Sequence, residues 1–223
     1  MELILENIRC FVGRHTIPVK PLTVLIGENS SGKTTFLAAL SIVCNTRDLL
    51  ESANFNESPY SLGVFDTIAT SQNGKRDRAK YFSLGRIDKK GEEKIAAEMV
   101  ATFRNNQGQA QLYELSAEGL GNSLTVWLDE TGNKYRYKYT LGDRKEEGNY
   151  PIRRKPFDTD YLVALYVFII DLLPVIKPLS IAPVRTKPKR TYDEFIERFN
   201  PEGDDIPFVL ARILNGKPKS KQE

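Results

Sequence analysis

Cysteine, histidine and tryptophan are scarce in this chain of 223 residues, which contains two Cys, one His and one Trp. The two cysteines, Cys10 and Cys44, provide neither a disulfide framework nor the ligand spacing of a metal site. This usage is typical of a reducing compartment, so we expect a cytoplasmic protein. The N-terminal residues carry acids and no basic segment, so they do not resemble a signal peptide.

The chain also lacks a strong charge imbalance and a long hydrophobic run. Its net charge of +3 at pH 7 is too small to indicate a nucleic-acid partner by itself. The apolar run at residues 161–170 is about half as long as a bilayer requires, and Asp171 and Pro174 follow it. We therefore expect a buried helix there and no membrane contact.

The chain does contain one specific motif, G-x-x-x-x-G-K-[ST], which is the pattern of a phosphate-binding loop (P-loop). Residues 22–26 before it are apolar or β-branched and predict a buried strand. Residues 34–44 after it have apolar side chains at helical spacing. The nucleotide prediction requires Ile26 and Thr34 to flank a strand-to-helix junction, with Lys33 facing the loop. The predicted binding residues are Gly27, Glu28, Asn29, Ser30, Ser31, Gly32, Lys33, Thr34 and Thr35.

Each part of this motif has a physical role towards a triphosphate. Gly27 and Gly32 allow backbone conformations and close approaches that a Cβ would block. Loop N–H groups and the positive end of the helix dipole attract phosphate. Lys33 is predicted to reach the β- and γ-phosphates, Thr34 to offer its hydroxyl to Mg²⁺, and Thr35 to contact the α-phosphate.

The remaining pattern is mostly that of β-strands joined by turns. Residues 2–9 and 16–19 predict two strands with a turn at 12–15, so an antiparallel hairpin precedes the strand of the P-loop. Alternating residues from 79 to 141 predict an antiparallel sheet built from hairpins. Residues 134–139 predict a strand with one aromatic and one basic face. The strands predicted in that region are 81–84, 98–103, 111–115, 124–128 and 135–141.

The other segments are predicted to be loops, helices and a tail. Residues 51–78 are polar and predict mostly loop, and residues 142–158 are charged and predict an exposed loop. Further helices are expected beyond that loop, followed by a disordered tail. The predicted helices are 161–170, 192–199 and 207–214, and the tail is 217–221.

Residues 124–130 imitate two catalytic motifs. An apolar run followed by Asp129 and Glu130 is similar to a Walker B strand, and Asp129 with Gly132 matches the D-x-x-G of GTPases. A turn and a further strand follow at once, which predicts a hairpin instead. A Walker B strand lies in the parallel core and needs a crossover to reach it. We therefore assign no catalytic residue.

Four features together resemble ATP-binding-cassette ATPases of the RecF/SMC-like branch, and more narrowly the AAA-type ATPases of bacterial defence and DNA-repair systems. The features are the N-terminal strand pair, in which residues 1–3 lead into residues 7–9, the loop at residues 27–35, the β-rich insertion, and residues 181–192. The resemblance implies an α/β fold, with a P-loop NTPase core of ABC/SMC type, an inserted antiparallel β subdomain and C-terminal helices. It implies ATP and Mg²⁺ as cofactors.

The chain departs from that family in its second half. No signature loop, Walker B strand, switch histidine or γ-phosphate-sensing glutamine is recognisable in the sequence. His15 precedes the P-loop and is predicted to be a surface turn residue. We therefore expect a first ATP-binding lobe at residues 1–160, with its P-loop core at 1–50 and its β insertion at about 79–141. A helical segment of an incomplete second lobe would occupy 161–214, and a disordered tail 215–223.

The function implied by the resemblance is an ATP- and Mg²⁺-binding lobe of an ABC/SMC-like ATPase. Nucleotide would drive dimerisation or engagement of a partner, either a second copy or an ATPase or nuclease subunit, in DNA repair or anti-phage defence. Two alternatives remain open: a non-hydrolysing, nucleotide-binding regulatory module, and a small-molecule P-loop kinase. The N-terminal hairpin and the β insertion argue against the kinase.

Two groups of basic residues allow a nucleic-acid partner as well. A solvated surface is the simpler interpretation of both groups, and contact with phosphates is the alternative. The first group is Lys134, Arg136, Lys138, Arg144, Lys145, Arg153, Arg154 and Lys155, and the second is Arg185, Lys187, Lys189 and Arg190.

Overall fold

The computed structural model describes residues 1–44, 55–56, 61–71, 77–90 and 94–151, with the backbone alone at 90, 94–96 and 150–151. All of them lie in the first of two compact units, Met1–Pro178. The helices and the tail that the sequence predicts after residue 160, and the basic residues after residue 152, lie outside the described residues. Among the described helices, none has the length and apolar character needed to cross a membrane.

The described residues form one sheet of eight strands in which every neighbouring pair is antiparallel. The spatial order is β2-β1-β3-β4-β5-β6-β7-β8, so every neighbouring pair except β1 and β3 is consecutive in sequence, and the long connection runs from β2 to β3. The strands are β1 (Glu2–Ile8), β2 (Phe11–Pro18), β3 (Tyr81–Lys90), β4 (Lys94–Asn106), β5 (Gln109–Gly119), β6 (Asn122–Leu128), β7 (Lys134–Leu141) and β8 (Arg144–Pro151). The helices are α1 (Lys33–Cys44) and α2 (Phe65–Ile68).

One face of the sheet is continuously apolar because alternate residues of successive strands lie opposite one another. The clearest row runs across five strands, through Leu5, Leu84, Ala101, Leu115 and Val126, each at most 1% exposed. Burial of such side chains contributes about 25 cal/mol per Å² of apolar surface, so this register is strongly specified.

Both described helices lie near the strands at one side of this face. Helix α1 contacts β1 and β3, and α2 contacts β4. Aromatic rings fill the space beside α2: the ring of Phe82 lies 5.3 Å from those of Phe65 and Phe103, and Phe55 packs edge-on against Phe82 and Phe103. Such contacts add to the burial energy of each ring.

A buried ion pair interrupts the apolar face on β3. Arg86 is completely buried, and its Nε lies 2.9 Å from Oδ2 of Asp88. Burial raises the pKa of the Asp88 carboxyl, while the guanidinium of Arg86 opposes the rise. Both charges also act on the thiol of Cys44, at the end of α1. Loss of either partner would leave an uncompensated charge in the core.

The antiparallel sheet confirms most of the predicted strands and corrects two local predictions. Residues 12–15 are not a turn but belong to β2, because the chain reverses at Arg9 and Cys10 instead. His15 is exposed as expected, but it lies in that strand. Residues 144–151 form β8 and are not a loop, since they pair with the whole of β7.

The α/β class is not borne out in the described residues, which are mostly antiparallel sheet with few helices. The main difference is at residues 22–26, which were predicted to be the buried strand that precedes the P-loop. They have no strand assignment, and Leu22, Val24 and Ile26 are 84%, 70% and 91% exposed. They pair neither with β1, whose neighbours are β2 and β3, nor with the edge strands β2 and β8.

Candidate functional site

The P-loop lies at the end of the sheet where β1 ends and β3 begins. Helix α1 starts at Lys33 and buries Phe36, Ala39, Leu40 and Val43, whose spacing places them on one face of the helix. The N-terminal end of α1 adjoins the loop. The first four N–H groups of a helix have no acceptor within the helix. The α1 N-terminus therefore presents donors and a positive dipole end at an exposed position.

Of the two glycines in the loop, Gly32 has the left-handed backbone conformation that glycine favours, and Gly27 does not. Gly32 has a φ of +95°, and Ser30 reaches +65°. A Cβ on Gly32 would lie 2.5 Å from Sγ of Cys10 and 3.2 Å from the ring of Phe11. Gly32 is therefore required both by its backbone angle and by the β1–β2 turn packed against it.

Lys33 faces the loop, as the nucleotide prediction requires. Its ammonium donates hydrogen bonds to the carbonyl oxygens of Gly27 at 2.8 Å and Glu28 at 2.7 Å, and lies 3.5 Å from Oγ of Ser31. These charge-assisted contacts close the loop on itself. The lysine is thus held at the position from which a phosphate would take over its donors.

The two threonines after Lys33 have different environments. Thr34 is exposed in the first turn of α1, whereas Thr35 is 4% exposed. The hydroxyl of Thr35 accepts a hydrogen bond of 3.4 Å from Nη1 of Arg9. The predicted roles of Thr34 towards Mg²⁺ and of Thr35 towards the α-phosphate remain predictions.

Arg9 is a residue of the site that the sequence analysis did not single out. Besides Thr35, its guanidinium donates to the carbonyl oxygens of Leu62 at 2.7 Å and Thr67 at 3.3 Å. Arg9 itself has a φ of +48°, because it begins the β1–β2 turn. It thereby ties that turn to both α1 and α2. One indication of Arg9 was available in the sequence, because residues 7–9 are part of the family resemblance. The resemblance did not assign a role to Arg9.

The junction before the loop is the part of the prediction that fails. Thr34 lies at the start of a helix, but Ile26 lies in an irregular, exposed segment and not at the end of a strand. The side chain of Leu25 packs against the core, which anchors the segment at one point. The site is therefore a loop-to-helix junction in the described residues.

Asp129 and Glu130 lie in a hairpin turn, as predicted, and not in a core strand. The N–H of Asp129 donates to the carbonyl of Lys134 at 2.8 Å, and β6 and β7 pair on either side. Desolvation acts to raise the pKa of the Asp129 carboxyl, but hydrogen bonds from the Thr131 hydroxyl and from three backbone N–H groups lower it below its usual value. The carboxylate thus serves the turn.

The predicted two-faced strand is confirmed on β7. Tyr135 and Tyr139 are buried, while Lys134, Arg136 and Lys138 are exposed on the opposite face. Arg136 lies 5.6 Å above the ring of Trp127. On this face, Glu147 of β8 lies directly opposite Lys138. Nucleic-acid contact by these residues stays a prediction.

The residues of the loop fit a nucleotide, judged by their own chemistry. A backbone cradle that a Cβ would fill at Gly32, an inward ammonium at Lys33 and an exposed hydroxyl at Thr34 are the groups that a triphosphate with Mg²⁺ engages. Among the described residues, no group of three or more His, Cys, Asp or Glu could hold a metal. Of the residues that the structure describes, Thr34 is the one predicted to contribute to Mg²⁺, together with the phosphates.

A glycine-rich loop that opens a helix with Lys33 and Thr34 defines the class of P-loop nucleotide-binding proteins. A family model described as AAA ATPase domain matches residues 1–168, about three quarters of the chain. The chain belongs to this family, whose fold is that of P-loop NTPases, and it is a nucleotide-binding ATPase module. Comparisons with curated proteins and with solved structures gave no match.

Proposed function

We propose that this chain is the ATP- and Mg²⁺-binding lobe of an ABC-type ATPase of the RecF/SMC-like branch, in which nucleotide controls dimerisation or the engagement of a partner. The observation that carries the proposal is the inward-facing Lys33 at the start of α1. In the bound state, phosphate oxygens would replace the carbonyls of Gly27 and Glu28 as acceptors of its ammonium. Thr34 would contribute its hydroxyl to Mg²⁺.

The exposed segment at residues 22–26 supports the second half of the proposal. Leu22, Val24 and Ile26 alternate along it and are 84%, 70% and 91% exposed. Large apolar side chains grouped in this way mark a surface that gains free energy when it is covered. A lobe that is completed by further polypeptide would cover them, and a second copy, an ATPase subunit or a nuclease subunit are the candidates. DNA repair or anti-phage defence is the context that the family resemblance suggests.

A regulatory module that binds nucleotide without hydrolysing it is the second candidate. It is favoured by the position of Asp129 and Glu130, which form a turn and do not end a core strand. Hydrolysis needs a group that orients the attacking water, and the described residues provide no carboxylate bonded to the P-loop. Release of phosphate by the purified chain alone would exclude this candidate.

The nucleotide assignment is tested with the variant Lys33→Ala. We expect ATP·Mg²⁺ to bind at least tenfold more weakly, because hydrogen bonds to charged groups contribute about 1.5–3 kcal/mol each. Isothermal titration calorimetry measures the affinity, and Lys138→Ala is the matched control, since it removes an exposed lysine from the sheet. Equal affinity of wild type and Lys33→Ala would refute the assignment. Light scattering with and without nucleotide measures dimerisation.

A further inference from the structure

A second concave site lies at the same end of the sheet, where β3 begins and β4 ends. It is a cavity of about 320 Å³ between α2, the start of β3 and the end of β4. We call it the β3–β4 pocket and define it by Asp66, Arg78, Lys80, Tyr81, Arg104 and Asn105. A volume of this size is at the lower end of the range of small-ligand sites.

The β3–β4 pocket carries excess positive charge. Arg78, Lys80 and Arg104 line it, and among the described lining residues Asp66 is the acid. The two arginines are bonded to neutral groups: Arg78 donates to the carbonyl of Ala69 at 3.3 Å, and Arg104 to Oε1 of Gln111 at 3.2 Å. Among the described residues neither arginine forms an ion pair, so their charges are held in place without being neutralised.

Asp66, the one acid among the described residues of the pocket, is already hydrogen-bonded. Oδ1 of Asp66 accepts a hydrogen bond of 3.2 Å from Nδ2 of Asn105, which joins α2 to the end of β4. Lys80 makes no ion pair in the described part of the chain and ends in solvent. An anion that enters the cavity would thus meet three cations, one of them free to move towards it.

Aromatic side chains stand beside these cations. Tyr81 is 41% exposed, and its ring lies 4.9 Å from that of Tyr113. The guanidinium of Arg104 lies 5.8 Å above the Tyr113 ring, so the aromatic pair and the cation form one continuous surface. An exposed ring next to fixed cations is the arrangement by which proteins hold an unpaired base and its phosphate.

We propose that the β3–β4 pocket binds one nucleotide unit of single-stranded nucleic acid, with the phosphate at Arg78, Lys80 and Arg104 and the base on Tyr81. A single strand is favoured over a duplex because stacking on Tyr81 needs a base that is not already stacked. The site is separate from the P-loop residues, so it does not rest on the proposed nucleotide function.

The exposed face of β7 is a weaker candidate for the same ligand. Lys138 on this face lies directly opposite Glu147 of β8, so the charge of this lysine is balanced locally. Arg136 is already directed at Trp127. This contrast makes Lys138 a suitable control position, since it is an exposed lysine outside the β3–β4 pocket.

The test is fluorescence anisotropy of the full chain with labelled oligo(dT) of about 15 nucleotides, a length within the site sizes of single-strand binding proteins. We expect Tyr81→Leu to weaken binding about fivefold or more, while Tyr81→Phe, which keeps the ring, binds like wild type. Lys80→Ala should reduce the slope of log affinity against log salt by about 0.7, the value for one phosphate contact of a single strand.

Controls separate this site from the others. Lys138→Ala should change the affinity less than Lys80→Ala, and Lys33→Ala should leave oligonucleotide binding intact even if it abolishes ATP binding. A proposal of single-strand recognition is overturned if wild type shows no binding in low salt, or if Tyr81→Leu and Lys80→Ala behave like Lys138→Ala. It is also overturned if a blunt duplex binds as well, or if dTMP or inorganic phosphate at equal nucleotide concentration displaces the oligonucleotide completely.

Discussion

The sheet and the P-loop region of this protein are built in opposite ways. Across the sheet, strands pair from β2 to β8 and bury a row of side chains such as Leu84 and Leu115 almost completely. In residues 22–32, the apolar side chains of Leu22, Val24 and Ile26 are exposed, and the main polar contacts are those of Lys33. Burial of apolar side chains therefore stabilises the sheet, whereas polar contacts of Lys33 hold the P-loop region.

The largest difference should appear when the same truncation is made in both regions. Leu84→Ala removes a fully buried side chain and should lower the free energy of unfolding by about 2–5 kcal/mol. Leu22→Ala removes one that is 84% exposed and should change it by about 0.5 kcal/mol or less. Urea unfolding of both variants measures the contrast. Equal losses would show that residues 22–26 are packed in solution.

The reactivities of the two cysteines should show the same contrast between the exposed P-loop region and the buried core. Cys10 is exposed beside Gly32, whereas Cys44 is buried in α1, and burial raises the pKa of its thiol from 9.0 to about 11. A shift of two pKa units leaves about a hundredfold less thiolate at neutral pH. We expect the thiol of Cys10 to react quickly with a chromogenic disulfide, and the thiol of Cys44 to react only after unfolding.

A variant and a ligand identify the fast thiol. Cys10→Ser should abolish the fast phase and leave the slow one, and ATP·Mg²⁺ should slow the reaction of Cys10, because its Sγ lies against Gly32. A fast phase that persists in Cys10→Ser would mean that Cys44 is accessible and that the packing of α1 differs from that described.

Gly32 and Gly13 both have a positive φ, so comparing alanine variants at the two positions distinguishes backbone strain from steric crowding by a Cβ. Gly32→Ala places a Cβ 2.5 Å from Sγ of Cys10 at a φ of +95°, and should weaken ATP·Mg²⁺ binding about tenfold. Gly13→Ala, at a φ of +72°, meets nothing within 4 Å and should cost stability without changing affinity. Calorimetric titration measures the affinity of both variants for ATP·Mg²⁺. An unchanged affinity for Gly32→Ala would contradict the close fit of the loop to the β1–β2 turn.

The smallest effect is expected at the β6–β7 turn. The pKa of Asp129 is lowered in the folded protein, so its charge contributes stability above the ordinary value of 3.8 and this contribution is lost as the pH falls through the folded pKa. Asp129→Asn should thus be less stable than wild type at neutral pH, and the gap should close in acid. Glu130→Gln, beside it, is the control. A gap that is independent of pH would assign the effect to shape and not to charge.

The strands of the sheet were predictable because alternation is a local signal. The alternation of residues 134–139 predicted a strand with two different faces, and the residue types around Asp129 predicted a turn. Strand β8 was missed because its residues are almost all polar, so its pairing with β7 leaves no hydrophobic pattern. The β1–β2 turn was misplaced because Gly13 suggested a reversal that Arg9 and Cys10 make.

The candidate site was predictable only in part. The loop residues and the direction of Lys33 followed from a motif, since the spacing of glycine, lysine and threonine reflects the shape of a bound phosphate. Arg9 was missed because its three partners, among them Leu62 and Thr67, are distant in sequence. The β3–β4 pocket was missed for the same reason: Lys80 and Arg104 meet only when β3 and β4 pair.

The sequence by itself determined the phosphate-binding loop, the helix after it and the alternation that buries one face of the sheet, because each of these depends on neighbours within a few residues. The tertiary structure alone decided that residues 22–26 lie outside the sheet, that Arg9 ties α1 to α2, and that Tyr81 and Arg104 share a cavity. The physical reason is that burial and electrostatic contact depend on distances between residues in space. These distances are determined only when the strands pair in a given order and register.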